Sequence, residues 1–420
     1  MGIVDTTRAA AQEISTKGAS PLTSPAIGTG LEELVRPCGD AMRPKDPGRA
    51  AGRTTLAMTF SGGGFRATLA ALGVARFLAD AGVLGDVRFV SSVSGGSIAN
   101  GMLATRWSKL RSAGFSAEAL ERLVVDPVVE SVSGSSLKGE LIRNIWRAIG
   151  PRTRTDVLAR AFDRRFFDGA RLEDLDDGCR FIINAANLVT GVRFAFERDV
   201  VGDYVVGLAS TGGTGLRVST AVAASAAVPG AFAPVALRKV SFPCGERGAP
   251  QLLDGGAYDN TGLEAIDSDR YRDVFSITMN AGGVFVTGRL SGVPVIRDLV
   301  RSNGLLYRQS TGLRTRWMVD RFQAWNDGEG RERPQWARQG VLFALASEMK
   351  GPAVDEWRSL HPEHRSWEGK DLAFVPTVFD KLDRRLCRLL IYRGWWLTGA
   401  ALALYYPNLV VLPHSAPPLE

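Results

Sequence analysis

The chain has 420 residues, 45% of them hydrophobic, and a formal net charge of +7. That apolar content supplies a large core and excludes a disordered polymer, while no apolar run reaches the roughly 18–20 residues of a membrane-spanning helix. The positive charge comes without zinc-finger spacing or an RNP-like aromatic pattern, so it reads as a solvated basic surface, or one suited to anionic lipid, and no nucleic-acid partner is expected.

In chain order, residues 1–50 mix Gly, Pro, Ser, Thr and charge with little periodicity and read as a loosely ordered arm. The arm lacks the apolar stretch of a secretory signal, although Met1-Gly2-Ile3-Val4-Asp5-Thr6 nominally fits an N-myristoylation pattern. Thr54 to Phe60 predicts a buried strand, followed by the turn Ser61-Gly62-Gly63-Gly64-Phe65-Arg66-Ala67. Leu69, Leu72, Val74, Phe77 and Leu78 then form a helical stripe ending near Gly82. Val87 to Ser91 predicts a second strand, the turn Ser92-Val93-Ser94-Gly95-Gly96-Ser97 and another helix. Residues from about 102 to 170 read as helical, punctuated at Gly114, Gly134 and Gly150-Pro151. A hairpin is expected between Cys179–Ala185 and Val192–Glu197, around Thr190-Gly191. A small-residue helix, Arg217–Ala227, stops at Pro229; Gln251–Leu253 is a short strand into Asp254-Gly255-Gly256, and Val274–Met279 another strand. Helices return beyond about 290. Alternating strands and helices predict one α/β domain over 51–410, three-layered with a mainly parallel central sheet, motifs within 54–262 and helical additions at the C-terminus. Cys38, Cys179, Cys244 and Cys387 are far apart without metal-ligand spacing, and reduced, partly buried thiols are the simplest reading.

The two glycine-rich turns carry the chemistry. Gly62, Gly63 and Gly64 let an anion or carbonyl oxygen approach bare backbone N–H groups at a helix N-terminus. Gly62-x-Gly64-x-x-Ala67 also fits a dinucleotide fingerprint, but that site needs an acid at the end of the next strand, and Asp86 lies before it. Ser94 stands where a nucleophile elbow places its serine; the alternative is a helix N-cap. The serine needs a base. The histidines, His361, His364 and His414, lie in a loop-like stretch and the terminal tail and read as exposed surface residues. Asp254, at a strand end before two glycines, is the better candidate, the alternative being an Asx-turn residue.

Ser61–Ala67, Ser92–Gly96 and Asp254-Gly255-Gly256, in this order and spacing, resemble the three signatures of patatin-like phospholipases. The first turn also resembles that of the cytosolic phospholipase A group, which shares the fold. Asn184–Gly191 and Ala224–Phe232 are further matches, so the resemblance covers about residues 54–262. It implies a lipid acyl hydrolase with Ser94 as nucleophile, Asp254 as base, Gly62, Gly63 and Gly64 as oxyanion hole, and Arg66 steadying the turn or meeting a phosphate. Ser92 and Ala67 stand where the family often has glycine; both are small, so altered geometry rather than lost activity is expected.

The implied substrate is a phospholipid or other lipid ester at a membrane surface, with no metal and no organic cofactor required. Leu141–Ile149, with Trp146, and Leu382–Trp396, with Arg384, Arg385, Arg388 and Arg393, are candidate docking stretches or ordinary core helices. A cytoplasmic protein, peripheral at the membrane, fits these readings. The rival functions are a His-dependent esterase and a non-catalytic lipid-binding protein on the same fold.

Overall fold

The computed structural model describes residues 38–39, 42–143, 153–283, 294–328, 332–366 and 370–419; the myristoylation-like hexapeptide and residues 144–149 of the first docking candidate lie outside them. β1 (Leu56–Phe60) and β2 (Val87–Val93) are parallel neighbours, with Phe60 opposite Ser92. Side chains of β1 alternate between two faces: Leu56, Met58 and Phe60 enter the main core, while Ala57 joins Phe89, Ile266, Tyr271 and Val274 on the other side. Burial on both faces is why such a strand reads as a continuous apolar run.

Among the described residues ten strands form one sheet. Its parallel part runs in the order β10 (Gly340–Ala344), β9 (Phe275–Asn280), β1, β2, β3 (Arg180–Asn187). Beyond β3 the sheet turns antiparallel through β4 (Arg193–Phe196), the expected hairpin partner, then β5 (Val200–Asp203) and β6 (Gly207–Ser210). The opposite edge of β3 is shared: β2 occupies it as far as Asn184, and β8 (Gln251–Asp254), flanked by β7 (Val235–Ala236), takes over from Ala185.

One face of the sheet is covered by α1 (Gly64–Asp80), α2 (Gly95–Ser112) and helices that follow, α3 (Asp126–Gly134), α4 (Leu137–Arg143), α5 (Arg154–Phe162) and α6 (Val218–Ser225). The turns around Leu263–Tyr271 and α7 (Pro294–Asp327) cover the other. α8 (Pro352–Leu360) and α9 (Arg384–Tyr405) complete the first layer. The architecture is α/β, a central sheet with a parallel core between helical layers, and among the described residues no helix is long and apolar enough to cross a membrane.

α9 corrects the second docking candidate. Trp395 and Trp396 are buried, and so are Arg388 and Arg393. Arg388 pairs with Glu121 and Asp126, Arg393 donates to the carbonyls of Leu345 and Ser347, and the Trp395 indole N–H donates to Asp80 at 2.8 Å. Arg388 and Arg393 are therefore satisfied inside the protein, Arg384 and Arg385 stay exposed at the start of the helix, and the rest of α9 is core. A second difference concerns the thiols. Cys38 and Cys244 form a disulfide, while Cys179 and Cys387 are free and buried. At a sequence separation of 206, the spacing of the bonded pair gave no sign of it. The segment at Cys38 reaches Cys244 by lying on the β5–β6 turn, where Cys38 N–H donates to Tyr204 O and Cys244 N–H to Val206 O.

α1 and α9 touch backbone to backbone. A Cβ on Gly73 would lie 2.1 Å from the Ile391 carbonyl oxygen, and one on Gly394 2.1 Å from that of Ala70. Replacing helix-interior glycine by alanine ordinarily stabilises by about 0.5–1 kcal/mol; here the clash outweighs it. Gly73→Ala and Gly394→Ala are expected to lower stability by about 1–3 kcal/mol. Gly312→Ala, in α7 with nothing within 4 Å, is expected to raise it. Urea midpoints of the three variants test this.

Candidate active site

β3 acts as the ruler of the site. Val93, the last residue of β2, pairs with Asn184, and Asp254, the last of β8, pairs with Ala185. Consecutive positions on one strand edge thus bring Ser94 and Asp254 together across 160 residues of chain. The Ser94 hydroxyl lies close enough to the Asp254 carboxylate to favour its ionised form. Ser94 occupies the N-cap position of α2 but its side chain makes no capping bond, so the N-cap role is not the one adopted.

The backbone of Ser94 is at φ 51°, ψ −120°, a conformation that costs a side-chain-bearing residue about 1–3 kcal/mol. A buried polar chain holds it there. Ser94 N–H donates to Ser225 Oγ at 2.9 Å, and Ser225 Oγ donates to Asn184 O at 2.6 Å. Ser97 Oγ lies 2.9 Å from Ser225 Oγ and 3.0 Å from Ser92 Oγ, which Asn100 Nδ2 meets at 2.7 Å. Ser92, the residue in place of the elbow glycine, is thus a member of the network that fixes the turn.

The two glycine turns are stacked. A Cβ on Gly95 would sit 2.1 Å from Gly64 O, and one on Gly96 2.6 Å from Ser61 O. Gly63 and Gly64 have φ of 145° and 60°, values that glycine alone adopts without strain. Among the described residues no acceptor meets the N–H of Gly63 or Gly64, and neither α1 nor α2 has an acid in its first turn. The positive ends of both helices are therefore left facing the site. Gly62 differs from expectation. Its N–H donates to Asn260 O at 3.1 Å and to Asn260 Oδ1 at 3.0 Å, so it is already occupied and only the N–H groups of Gly63 and Gly64 are left open.

Asp254 is 7% exposed. Burial pushes its carboxyl up from 3.8 to about 6, against the nearby Ser94 hydroxyl and the Gly256 N–H, which favour the ionised form. Gly256 N–H donates to Oδ1 at 2.8 Å, so the Asx-turn bond is also present. The Tyr307 ring closes this side, for a Cβ on Gly256 would lie 2.7 Å from its Cε2.

Arg66 is buried with its guanidinium turned inward. Nε and Nη2 donate to Ala281 O at 3.1 and 2.9 Å, Nη1 to Ala373 O and Val375 O, and Nη2 also to Thr377 Oγ1. Of the two roles expected for it, the geometry is that of a brace, made to backbone carbonyls instead of a carboxylate. His361 and His364 are corrected: both are buried in the C-terminal layer, not exposed. His361 packs against Trp357 and Trp395, and His364 stacks on Trp396 at 3.7 Å between centroids. Burial and the charges of Arg393 and Arg358 push His364 down to about 3. Neither histidine bonds to Ser94 or Asp254. Asn260, Ser225 and Tyr307 are the site residues that sequence reasoning missed. The first lies six positions beyond Asp254 and the second within the quoted Ala224–Phe232 match, but nothing local tells what they touch.

A family model for patatin-like phospholipases matches residues 58–267. Solved structures similar to the chain include human GIVD cytosolic phospholipase A2, at 13% identity and TM-score 0.45, covering 92% of this chain and 65% of that one. The same enzyme in complex with methyl gamma-linolenyl fluorophosphonate matches at 16% identity and TM-score 0.44, with 91% and 62% covered. VipD from Legionella pneumophila matches at 14% and 0.32, with 78% and 66% covered. The chain spans less than two thirds of the length of each of these structures. No curated protein matches it.

With the folded carboxyl near 6 and the unfolded one near 3.8, the native state holds more protons than the unfolded chain between those values. The stability tied to Asp254 is thus complete below about pH 4 and lost as pH rises through 6. Asp254→Asn removes the buried charge. It is expected to be more stable than wild type at pH 8, by on the order of 3 kcal/mol, with the gap closing towards pH 4. Urea unfolding at both pH values measures it; equal stability at pH 8 would contradict the buried carboxylate.

Proposed function

The chain belongs to the patatin-like phospholipase family, and from that premise we propose that it is a phospholipase A-type lipid acyl hydrolase working through a Ser94–Asp254 dyad. The observation that carries this reading is the seating of Ser94 and Asp254 side by side on the β3 edge, next to the two open N–H groups of Gly63 and Gly64. Asp254, ionised above pH 6, takes the Ser94 proton as Oγ attacks the ester carbonyl. The tetrahedral oxyanion is received by Gly63 and Gly64 N–H and by the N-termini of α1 and α2. Collapse breaks the ester C–O bond, and the leaving alkoxide recovers the proton from Asp254. Water then attacks the acyl-enzyme with Asp254 again accepting a proton, which releases fatty acid and restores Ser94. Gly62 and Arg66 act one step back: Asn260 anchors Gly62, and Arg66 braces the turn from the other side. Ser94 and Asp254 complete this cycle without a histidine, metal or organic cofactor.

Fatty-acid release from mixed phospholipid vesicles is the direct test. Folded Ser94→Ala and Asp254→Asn are each expected to lose about 10³-fold or more of the turnover, and the lipid products name the ester cleaved. For wild type, kcat/KM is expected to rise with pH along a limb centred near 6 and to stay level above it, because the base must be ionised. His361→Ala and His364→Ala should leave that limb in place. Full turnover by Asp254→Asn, or its loss in a folded His361→Ala, would sink the dyad.

A further inference from the structure

Large exposed apolar side chains stand on two segments that touch the turns of the site, both outside the family match. In α7, Leu306 is 70%, Leu313 52% and Trp317 49% exposed. Spacings of seven and four residues align them in one stripe. About a quarter-turn away around the same helix, Tyr307 closes on Gly256, Arg314 pairs with Glu264, Arg321 pairs with Asp267, and Met318 and Phe322 pack on Leu263. α7 is thus fixed across the Asp254 turn while its apolar stripe stays in solvent. On the Gly64 side runs a strap, residues 373–378, that exposes Phe374 at 58% and Val378 at 39%. Val378 O accepts Phe65 N–H, and the Val378 peptide lies against Gly64. The Arg66 brace ties the strap through Ala373, Val375 and Thr377, so Phe374 and Val378 are held outward.

We propose that this rim, the α7 stripe together with the Phe374–Val378 strap, is a docking surface for a bilayer carrying anionic headgroups. The inference rests on the phospholipase reading, since such a site must reach an ester packed in an interface. Charge supports the choice of occupant. α7 carries six arginines against three aspartates within a chain of net charge +7; Arg314 and Arg321 are held by Glu264 and Asp267, while Arg308 and Arg316 are exposed. A tryptophan beside arginine suits the headgroup boundary, where the ring enters and the cation stays with phosphate. The same contacts that orient the rim also hold the oxyanion turn and Asp254, so docking would present the bilayer directly to Ser94.

Cosedimentation with phosphatidylcholine vesicles, with and without phosphatidylglycerol, tests the surface in a Ser94→Ala background. Leu306→Ser, Leu313→Ser and Trp317→Ser combined, or Phe374→Ser, is expected to weaken partitioning by about tenfold or more, and phosphatidylglycerol to strengthen the unsubstituted protein. In the active chain the same changes should lower vesicle turnover in parallel yet leave hydrolysis of a soluble short-chain ester within about twofold. Hydrogen exchange needs no substitution: vesicles should protect amides of residues 303–317 and 374–378. Unchanged partitioning in the variants, protection elsewhere, or a dimer that dissociates on these substitutions and ignores vesicles would overturn the proposal. An inert wild type on both vesicle and soluble ester would instead refute the hydrolase reading, and the partitioning of Ser94→Ala would still decide the docking face.

Discussion

Two backbone turns can touch only because neither carries a side chain where they meet, and the site depends on that contact. Gly95 and Gly96 lie against Gly64 O and Ser61 O at distances no Cβ could share. The stacking sets the open N–H groups of the first turn beside the serine of the second. β3 does the rest, seating the ends of β2 and β8 on adjacent positions of one edge. A one-residue slip of either strand would send Ser94 or Asp254 to the wrong face, because side-chain direction alternates along a strand. Burial on both faces of the sheet is what makes that slip costly.

The electrostatics follow from the same geometry. Two helices begin at the site with no acid in their first turns, so their partial positive charge is uncompensated and favours an anion there. Asp254 supplies the opposite sign at the price of desolvation, which raises its carboxyl to about 6. A base of that strength is ionised at neutral pH and still more basic than a solvated aspartate. Strain at Ser94 is sustained by a buried hydroxyl network, in which every link from Asn100 to the Asn184 carbonyl is within 3.0 Å.

Much of this was legible in the sequence, for reasons that can be named. β1 and β2 announce themselves as apolar runs before glycines, and Ser94 and Asp254 stand at the strand ends where the turns begin. Local pattern carries such information because turn chemistry is local. It could not reveal that Asn260 occupies the Gly62 N–H, since the partners meet only through the fold. It misjudged His361 and His364, whose Pro- and charge-rich neighbours suggest a surface loop while Trp357, Trp395 and Trp396 bury them. It left Leu382–Trp396 open between docking stretch and core helix, because a basic amphipathic stripe has the same periodicity whether its arginines face phosphate or, like Arg388, the internal carboxylates of Glu121 and Asp126.

Arg66 shows why the motif region does not describe the site by itself. A buried guanidinium without a carboxylate partner is expensive unless its donors are satisfied. Here the acceptors are the Ala281 carbonyl at the end of β9 and three groups of the 373–377 strap. All lie beyond residue 267, where the family match stops. The same holds for Tyr307, which closes the Asp254 turn from α7. The Gly62–Gly64 turn and Asp254 are therefore supported from the C-terminal half of the chain, by the elements that also hold apolar side chains outward. Surface and chemistry share one scaffold: a change that loosened the strap would reach the Gly64 turn through Val378 and Arg66, and one that loosened α7 would open Asp254 to water through Tyr307.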